Sequence, residues 1–202
     1  MNYKVAYRIG FHPWEDAEQC PGFSGRLLEL VAEEEANAAP FGRALDIGTG
    51  SGIWGIALAR RGWDVTGVDL VPKAIERAKE RINAEKIDMK TVLGDVTRLR
   101  DAGIGDGYRL VLDTGTFHDF DTDAQVAMGR EIEAIAADDA TIILTVWPRR
   151  RRPLIRGVDR HEIEAAFPGW QITDVGPSGY MAPRILNAVL RPDEHFYRLR
   201  RR

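Results

Sequence analysis

Three glycines at alternate positions, placed between an apolar run and a helical stretch, constrain the fold more than any other feature. The segment LDIGTGSG, residues 45–52, follows a predicted strand at 43–47 and opens into a predicted helix at 51–61. Glycine has no β-carbon, so such a turn can bend sharply and bring the backbone close to a ligand. A strand, a glycine-rich turn and a helix in this order are typical of open α/β sheets, which bind ligands at the carboxyl ends of their strands.

The rest of the chain continues this alternation of strands and helices. The pattern predicts an α/β, doubly wound sheet of seven mostly parallel strands, with an antiparallel last strand and helices on both faces. The last two strands have no helix between them and should form a hairpin. Strands are predicted at 63–69, 88–95, 108–115, 140–148, 169–177 and 195–201, and helices from a Ser24 cap to about Asn37 and at 72–85, 123–137 and about 159–167.

The composition narrows the class of protein. A chain of 202 residues is the size of one domain, and we expect a cap segment and helix at 1–40 in front of a ligand-binding core at 41–202. The net charge of −3 argues against a dedicated nucleic-acid binder, and the single cysteine, Cys20, excludes an internal disulfide and a Cys-rich zinc site. No run approaches about 18 apolar residues and no signal-peptide core is present. We therefore predict a cytoplasmic protein with no membrane partner and no bound metal.

The spacing of the glycines separates this turn from two common nucleotide motifs. A dinucleotide fingerprint needs a glycine at the sixth position, and counting from Gly48 that position is Ile53. The spacing is GxGxG, which argues against NAD and FAD, and no GxxxxGK[ST] motif is present. The absence of a Tyr-x-x-x-Lys pair further weakens a reductase.

Acidic residues stand before the turn and after two of the strands. Asp46 precedes the glycines, Asp69 ends the second strand, and Asp95 follows Gly94 after the third. A carboxylate at Asp69 could accept both hydroxyl hydrogens of a ribose, and one at Asp95 could accept from an adenine amine. The alternatives are a tight turn without a ligand, a helix N-cap at Asp69, a turn residue at Asp95 and a structural role for Asp46.

The run LDIGTGSGIWGIALARRGWDVTGVDLVPKAIERAKERI resembles the cofactor half of class I S-adenosylmethionine (SAM)-dependent methyltransferases, and the resemblance is strong over about 40–115. It implies a Rossmann-like fold, SAM as the cofactor and S-adenosylhomocysteine (SAH) as the product. By the same resemblance Asp69 holds the ribose, Leu70 packs on the adenine, and the fourth-strand segment LVLDTGTFHDF faces the methionine end and the substrate. The implied cofactor-binding residues in the core are Asp46, Gly48, Thr49, Gly50, Gly52, Asp69, Leu70, Gly94, Asp95, Val96, Asp113 and Thr114.

A second, shorter resemblance lies near the N-terminus. The stretch GFHPWE, residues 10–15, is similar to the entry segment of thiopurine, thiol and halide methyltransferases. It implies that Trp14 covers the sulfonium end of the cofactor, where a cation–π contact would be favourable, and His12 could line the same cleft. The alternative is an N-terminal arm that packs Phe11 and Trp14 on the core.

Methyl transfer needs alignment of donor and acceptor, and a base when the acceptor carries a proton at neutral pH. His118, just past the fourth strand, is the predicted base, and the alternative is a histidine that only packs or caps a turn. Phe117, Arg149 and Tyr180 are the predicted substrate residues besides His12. Arginines at 149–152 could attract an acidic substrate or be a solvated loop, whereas the 198–202 cluster suggests a solubilising tail or an edge strand.

These observations predict a methyltransferase that acts on a small-molecule acceptor through oxygen, sulfur or nitrogen, as a monomer or homodimer. A SAM-binding module without catalysis is the main alternative. An RNA or protein methyltransferase is less favoured, because the fourth strand ends in Asp113-Thr114-Gly115-Thr116 and lacks an Asn-Pro-Pro-Tyr motif.

Overall fold

The computed structural model describes Tyr7, Gly10 and residues 19–36, 40–149, 156–181 and 193–202. Strands and helices alternate along most of this part of the chain. The elements, in chain order, are α1 Pro21–Glu35, β1 Arg43–Ile47, α2 Ile53–Arg60, β2 Asp64–Asp69, α3 Pro72–Glu85, β3 Lys90–Leu93, a 3-10 helix Val96–Ala102, β4 Tyr108–Asp113, a 3-10 helix Phe117–Asp119, α4 Thr122–Ile135, β5 Ala136–Val146, α5 Arg160–Ala166, β6 Trp170–Pro177 and β7 His195–Arg201.

The seven strands form one sheet in the order β3-β2-β1-β4-β5-β7-β6. The first five strands run parallel to one another, and β7 pairs antiparallel with both β5 and β6. The predicted doubly wound, seven-stranded sheet with an antiparallel last strand is therefore confirmed. Strand β5 begins earlier than predicted, at Ala136, because α4 ends at Ile135 and the chain enters the sheet directly through a bulge opposite Tyr108–Leu110.

Helices cover both faces of the sheet, as predicted. Helices α1 and α2 bury Leu30 and Ile56 against one face, whereas α4 and α5 bury Ile132 and Ile163 against the other. Because parallel strands are covered on both faces, their side chains form two separate apolar layers. Within the described ranges, no helix combines the length and the apolar character that crossing a membrane requires.

Helix α1 begins before the predicted position. It starts at Pro21, its N-cap is Cys20, and the Ser24 hydroxyl donates to the Cys20 carbonyl oxygen (3.1 Å) from inside the helix. Proline suits the first turn of a helix because its φ is already helical and its missing N–H is not needed there. The prediction of Ser24 as the cap was therefore wrong by one turn.

The C-terminal arginines attach β7 to α1. Arg198 and Arg200 both pair with Glu34 (3.2 and 2.9 Å), and Arg198 also pairs with Glu33 (2.7 Å). Glu34 in turn accepts from the Thr141 hydroxyl on β5 (2.8 Å). The predicted solubilising tail or edge strand is instead an interior strand whose charges hold a helix.

Candidate cofactor and acceptor site

The carboxyl ends of β1, β2, β4 and β5 meet at one edge of the sheet, because these strands are parallel and in register. The connections that leave this edge begin after Ile47, Asp69, Asp113 and Val146. In open α/β sheets this is the edge at which ligands bind. The predicted site residues of the core lie at the ends of these strands, in the connections that follow them, in the connection after β3 or, for Tyr180, after β6.

The glycine-rich turn takes the conformation that its sequence predicts. Gly48, Gly50 and Gly52 have φ values of 64°, 56° and 82°, a region that side chains disfavour. The Thr49 amide donates to the Val68 carbonyl oxygen of β2 (3.0 Å), which fixes the turn to the sheet. Gly52 is the N-cap of α2, so the helix begins at Ile53 rather than at the predicted Ser51.

Ser51 carries a second feature of this turn. Its side chain is buried, and its hydroxyl has no hydrogen-bond partner among the described residues. Buried hydroxyls are normally satisfied, so an unsatisfied one in a ligand-facing turn fits a hydrogen bond to a bound molecule. Ser51 was not among the predicted site residues, although it lies between two of the three glycines.

Asp46 lies beneath the turn. Its Oδ2 accepts from the Thr49 hydroxyl (2.5 Å) and the Gly55 amide (2.9 Å), and the side chain is buried. Burial raises the pKa of Asp46 to about 7, although both hydrogen bonds oppose the shift. These contacts favour the structural alternative for Asp46, which ties the turn to α2 and also engages the Thr49 hydroxyl.

Asp69 bridges the turn and the start of α3. Its Oδ2 accepts from the Gly50 amide (2.9 Å) and its Oδ1 from the Val71 amide (2.8 Å). Burial raises the pKa of Asp69, and the backbone hydrogen bonds lower it in part. The N-cap of α3 is Val71, so the helix-cap alternative for Asp69 is wrong. Each carboxylate oxygen can accept two hydrogen bonds, so this partly exposed group still fits a ribose diol.

Two exposed leucines flank this edge. Leu70 is 53% exposed and Leu93, the partner of Asp69 in the pairing of β2 with β3, is 54% exposed. Large apolar side chains are usually buried, so two exposed ones side by side mark a surface for a flat apolar group. Leu70 was predicted to pack on adenine, whereas Leu93 was missed because it lies inside a predicted strand.

The contacts of Asp95 favour the turn alternative. Its Oδ1 accepts from the Thr97 amide (2.9 Å) and hydroxyl (2.7 Å), which caps the 3-10 helix that begins at Val96. Both bonds fall on Oδ1, and Oδ2 takes no part in this turn. Gly94 donates to the Asp69 carbonyl oxygen (3.0 Å), whereas Val96 is buried and belongs to the apolar core.

Asp113 holds the loop after β4 from below. Its two oxygens accept from the amides of Gly115, Thr116 and Phe117 at 2.8 to 3.0 Å, and the side chain has no exposed surface. Burial raises the pKa of Asp113 to about 6, against the effect of the three hydrogen bonds. The structure thus places Asp113 under the loop, and the partly exposed Thr114 is the residue of the predicted pair on its surface.

Phe117 and His118 lie deeper than the sequence suggested. Phe117 is fully buried in the apolar core and packs against Phe167, with ring centroids 5.7 Å apart. This position removes Phe117 from the surface that a substrate could contact. His118 lies in the 3-10 helix at the same sheet edge, and only 5% of it is exposed.

An N-terminal tyrosine covers the turn. Tyr7 is buried and clusters with Val71 and Ala74 at the start of α3. A β-carbon on Gly50 would lie 2.9 Å from the Tyr7 hydroxyl oxygen, so the hydroxyl sits directly against the turn. Tyr7 was not predicted, because nothing local marks it. The predicted Trp14 and His12 lie outside the described residues.

Arg149 is engaged in ion pairs. Its Nε pairs with Asp159 (3.0 Å) and its NH2 with Glu162, which also pairs with Arg156 (3.0 Å). Burial alone would raise the pKa of Glu162, but hydrogen bonds from the Asp159 amide and the two arginines outweigh it and lower the pKa to about 2. Arg149 is therefore committed to α5 rather than directed at a substrate, and residues 150–152 lie outside the described residues.

The same segment contains a group of potential metal ligands. Asp159, His161 and Glu162 place one ligand atom each within 4.8 Å of one another. Arg149 already neutralises both carboxylates, and a guanidinium there opposes a cation.

The predicted substrate residue Tyr180 belongs to an aromatic group at the sheet edge. Its ring lies 6.2 Å from Trp147 and 6.4 Å from Phe23, and Phe23 lies 5.5 Å from Trp54. Phe23 and Trp147 are buried, whereas Trp54 and Tyr180 are partly exposed. The group therefore connects α1, the start of α2 and the end of β5.

Residues 44–139 match the family model of a methyltransferase domain. The 2-heptyl-1-hydroxyquinolin-4(1H)-one methyltransferase of Mycobacteroides abscessus is 24% identical over 174 residues, covering 82% of this chain and 71% of that protein. Ribosomal RNA small subunit methyltransferase C of Alcanivorax borkumensis is 33% identical over 72 residues, covering 36% of this chain and 22% of that protein. This chain thus matches less than a quarter of the length of the second relative.

Solved structures share the fold. Magnesium protoporphyrin IX methyltransferase from Synechocystis PCC 6803 with bound SAH is 16% identical, with a TM-score of 0.71 over 99% of this chain and 98% of that one. A TehB-like SAM-dependent methyltransferase from Corynebacterium glutamicum is 19% identical, with a TM-score of 0.63 over 91% of this chain and 98% of that one. At these identities the likeness is one of fold.

Proposed function

We propose, for a chain whose residues 44–139 match the family model of a methyltransferase domain, that the protein transfers the methyl group of SAM to a small-molecule acceptor and releases SAH. The observation that carries the proposal is Asp69 bonded to the Gly50 amide across the glycine-rich turn. This contact joins the glycine-rich turn to the end of β2, and binding of the nucleoside and the charged methionine part of SAM depends on both. The relatives with named small-molecule acceptors support the choice of acceptor class.

The residues at the edge fit the cofactor. Asp69 would accept from the ribose hydroxyls, Leu70 and Leu93 would lie against the adenine, and Asp95 Oδ2 would accept from the adenine amine. The orphaned Ser51 hydroxyl lies in the turn that would face the methionine part. The cofactor supplies an electrophilic methyl group on a sulfonium.

The chain's own contribution to the reaction is alignment. Displacement at a methyl carbon has a good neutral leaving group, so holding the acceptor in line with the sulfur accounts for much of the rate. His118 stays a proposed base on the loop after β4. Because His118 is buried, an acceptor must enter the cleft at this edge of the sheet to reach it. Phe23, Trp54 and Tyr180 would exclude water there.

The N-terminal region would act as a cap. Tyr7 against Gly50 supports a role for residues 1–40 in closing the cofactor site over the 41–202 core. Trp14 and His12 would belong to the same cap. One domain, a monomer or homodimer, cytoplasmic location and no nucleic-acid partner all remain predictions.

Calorimetry tests the cofactor part of the proposal. Titration of SAM, SAH and NADH into the protein should show micromolar-scale binding of the first two only. Binding of NADH without SAM or SAH would overturn the proposal. A screen of SAM consumption over thiols, halides, phenols and small acids then separates an enzyme from a SAM-binding module, which would bind the cofactor without turnover.

A further inference from the structure

A buried carboxyl group lies at the acceptor side of this edge. Glu194 immediately precedes β7, and because β7 runs antiparallel to β5, its first residue His195 pairs with Val146 at the end of β5. His195 also pairs with Pro177 at the end of β6. Glu194 therefore stands at the edge where the cofactor site lies, two strands beyond β4.

The alternation of side chains along β7 gives the face. Phe196 points into the layer formed with α1 and α2, and Leu199 into the opposite layer. Side chains two residues apart share a face, so Glu194 lies on the side of Phe196, Phe23 and Trp54. This is the side on which the glycine-rich turn enters α2.

The hydrogen bonds of Glu194 come from neutral groups. Ser178 donates its hydroxyl to Oε2 (2.8 Å) and the Trp147 indole donates to the carboxylate, while 7% of the residue is exposed. Burial raises the pKa of Glu194 to about 7, and the two donors oppose the shift. A carboxyl group in this state can both take up and give back a proton at neutral pH.

Among the described residues, the titratable neighbours of Glu194 in the chain are Asp193 and His195. His195, the next residue, pairs with Asp174 on β6 (3.0 Å). The Tyr180 amide donates to the Ser178 hydroxyl (3.1 Å), and the Cys20 thiol at the start of α1 donates to the Gly179 carbonyl oxygen (3.4 Å). The pKa of Glu194 is raised by burial and not by a neighbouring charge.

A purely structural purpose does not require this acid. The Ser178 amide already donates to the Glu194 carbonyl oxygen (2.7 Å), which joins the ends of β6 and β7 through the backbone. Burying a carboxyl group costs free energy that a neutral side chain would avoid. Trp147, which donates to Glu194, contacts the partly exposed ring of Tyr180, and Phe23 links Tyr180 to the partly exposed ring of Trp54.

We propose that Glu194, in place of His118, receives the proton of the methyl acceptor, and that the acceptor is a planar aromatic hydroxyl compound held beside Trp54 and Tyr180. The inference rests on the proposed methyltransferase function. An oxygen lone pair of the acceptor forms the new bond to the methyl carbon while the carbon–sulfur bond breaks. The electron pair of the broken bond goes to the sulfur, which becomes a neutral thioether. The hydroxyl proton passes to the Glu194 carboxylate and then to solvent.

The test uses the whole chain, SAM and a series of para-substituted phenols and naphthols. The rate kcat/KM of the wild-type protein should rise with pH through about 7, because Glu194 must be ionised to act. Glu194→Gln should lower kcat/KM about 100-fold and abolish this rise. The loss should shrink for para-nitrophenol, which ionises without a base. Asp174→Asn, an exposed carboxylate on the neighbouring strand, is the matched control.

Ser178→Ala gives a second, independent variant. It removes a hydrogen bond that stabilises the ionised form, so the rise in rate should move to higher pH. Carbon-13 NMR of glutamate-labelled protein, without cofactor, should show one carboxyl resonance that titrates near pH 7 and is absent from Glu194→Gln. The Ser178→Ala profile and the titration of this resonance in the wild-type protein do not depend on whether Glu194→Gln folds well.

The outcomes separate the two proposals. Failure of the wild-type protein to bind SAM and SAH contradicts the proposed function itself. A wild-type protein that binds SAH but methylates no phenol or naphthol overturns the acceptor class. Turnover with the same pH profile in the wild type, Glu194→Gln and Ser178→Ala overturns the role of Glu194 and leaves the methyltransferase function intact.

Discussion

The Thr116 hydroxyl occupies the space that a β-carbon on Gly48 would take. The distance from that β-carbon to Thr116 Oγ1 would be 1.9 Å, far inside any contact that atoms tolerate. Thr116 belongs to the loop after β4, and Asp113 holds its amide from below (2.8 Å). The glycine-rich turn and the loop that carries His118 are therefore packed as one unit, and Gly48 is required for this contact as well as for its own conformation.

Gly48→Ala should destabilise the protein by more than its backbone conformation alone explains. Gly103 has the same φ of 64° and nothing within 4 Å of its β-carbon position, so Gly103→Ala measures the cost of the conformation without the contact. We expect Gly48→Ala to cost about 1–3 kcal/mol more, as overpacking does, measured by urea unfolding. Thr116→Ala should recover part of the difference, and equal losses at both glycines would contradict the contact.

Asp69→Ala should weaken SAH binding by about 1–3 kcal/mol, the usual cost of leaving polar partners unpaired. The Gly50 and Val71 amides and the ribose hydroxyls would all lose the carboxylate that accepts their hydrogen bonds. Isothermal calorimetry measures the change in affinity. Asp64→Asn, at the other end of β2, should bind SAH as the wild type does, and an unchanged affinity in Asp69→Ala would remove it from the ribose role.

Asp46 should make the protein less stable as the pH rises. Its folded-state pKa is about 7 against 3.8 in the unfolded chain, so the protonated form is favoured by folding, and this preference is lost between about pH 4 and 7. Asp46→Asn keeps an oxygen for the Thr49 hydroxyl and the Gly55 amide. Between pH 4 and 8, the free energy of unfolding of the variant should rise relative to that of the wild type by on the order of 4 kcal/mol, measured by urea unfolding.

The comparison needs a control for the general effect of charge. Asp64→Asn removes an exposed carboxylate from the start of β2 and should show no such gain. If the free energies of unfolding of Asp46→Asn and the wild type differ by the same amount across this pH range, the raised pKa of Asp46 is contradicted.

Glu162→Gln should act in the opposite sense. The pKa of Glu162 falls from 4.5 to about 2 on folding. Glu162 therefore stabilises the folded protein above pH 4.5, and this stabilisation is lost as the pH falls towards 2. We expect the variant to be less stable by about 3 kcal/mol at pH 7, with a gap that narrows in acid. Glu164→Gln, which removes an exposed i,i+4 pair with Arg160 on the same helix, should cost no more than about 0.5 kcal/mol.

The sequence predicted the helices and strands well where the signal is local. The alternation of apolar runs and helical stretches predicted all seven strands, and β7 was predicted with the observed bounds His195–Arg201. The errors fall at ends set by contacts with other elements, such as the start of β5 at Ala136. The C-terminal arginines were misjudged because their partners, Glu33 and Glu34, lie on the first described helix.

The site was predictable in outline and not in detail. Charged residues near strand ends predicted that Asp46, Asp69 and Asp95 would lie at one edge, and the resemblance added Asp113. The burial of Asp46 and Asp113 beneath their loops depends on packing. Likewise, Phe117 was predicted to contact the substrate, but it is buried against Phe167, the C-cap residue of α5.

By itself the sequence determined the strand, the glycine turn and the helix, because φ preferences and side-chain periodicity act within a few residues. It also determined the order of acids along the edge, since parallel strands joined by helices place their ends together. Only the tertiary structure decided which acids face a ligand and which hold a loop. It alone brought Tyr7 to Gly50 and Glu194 to Trp147, because those contacts depend on pairing between segments far apart in the chain, which no local pattern encodes.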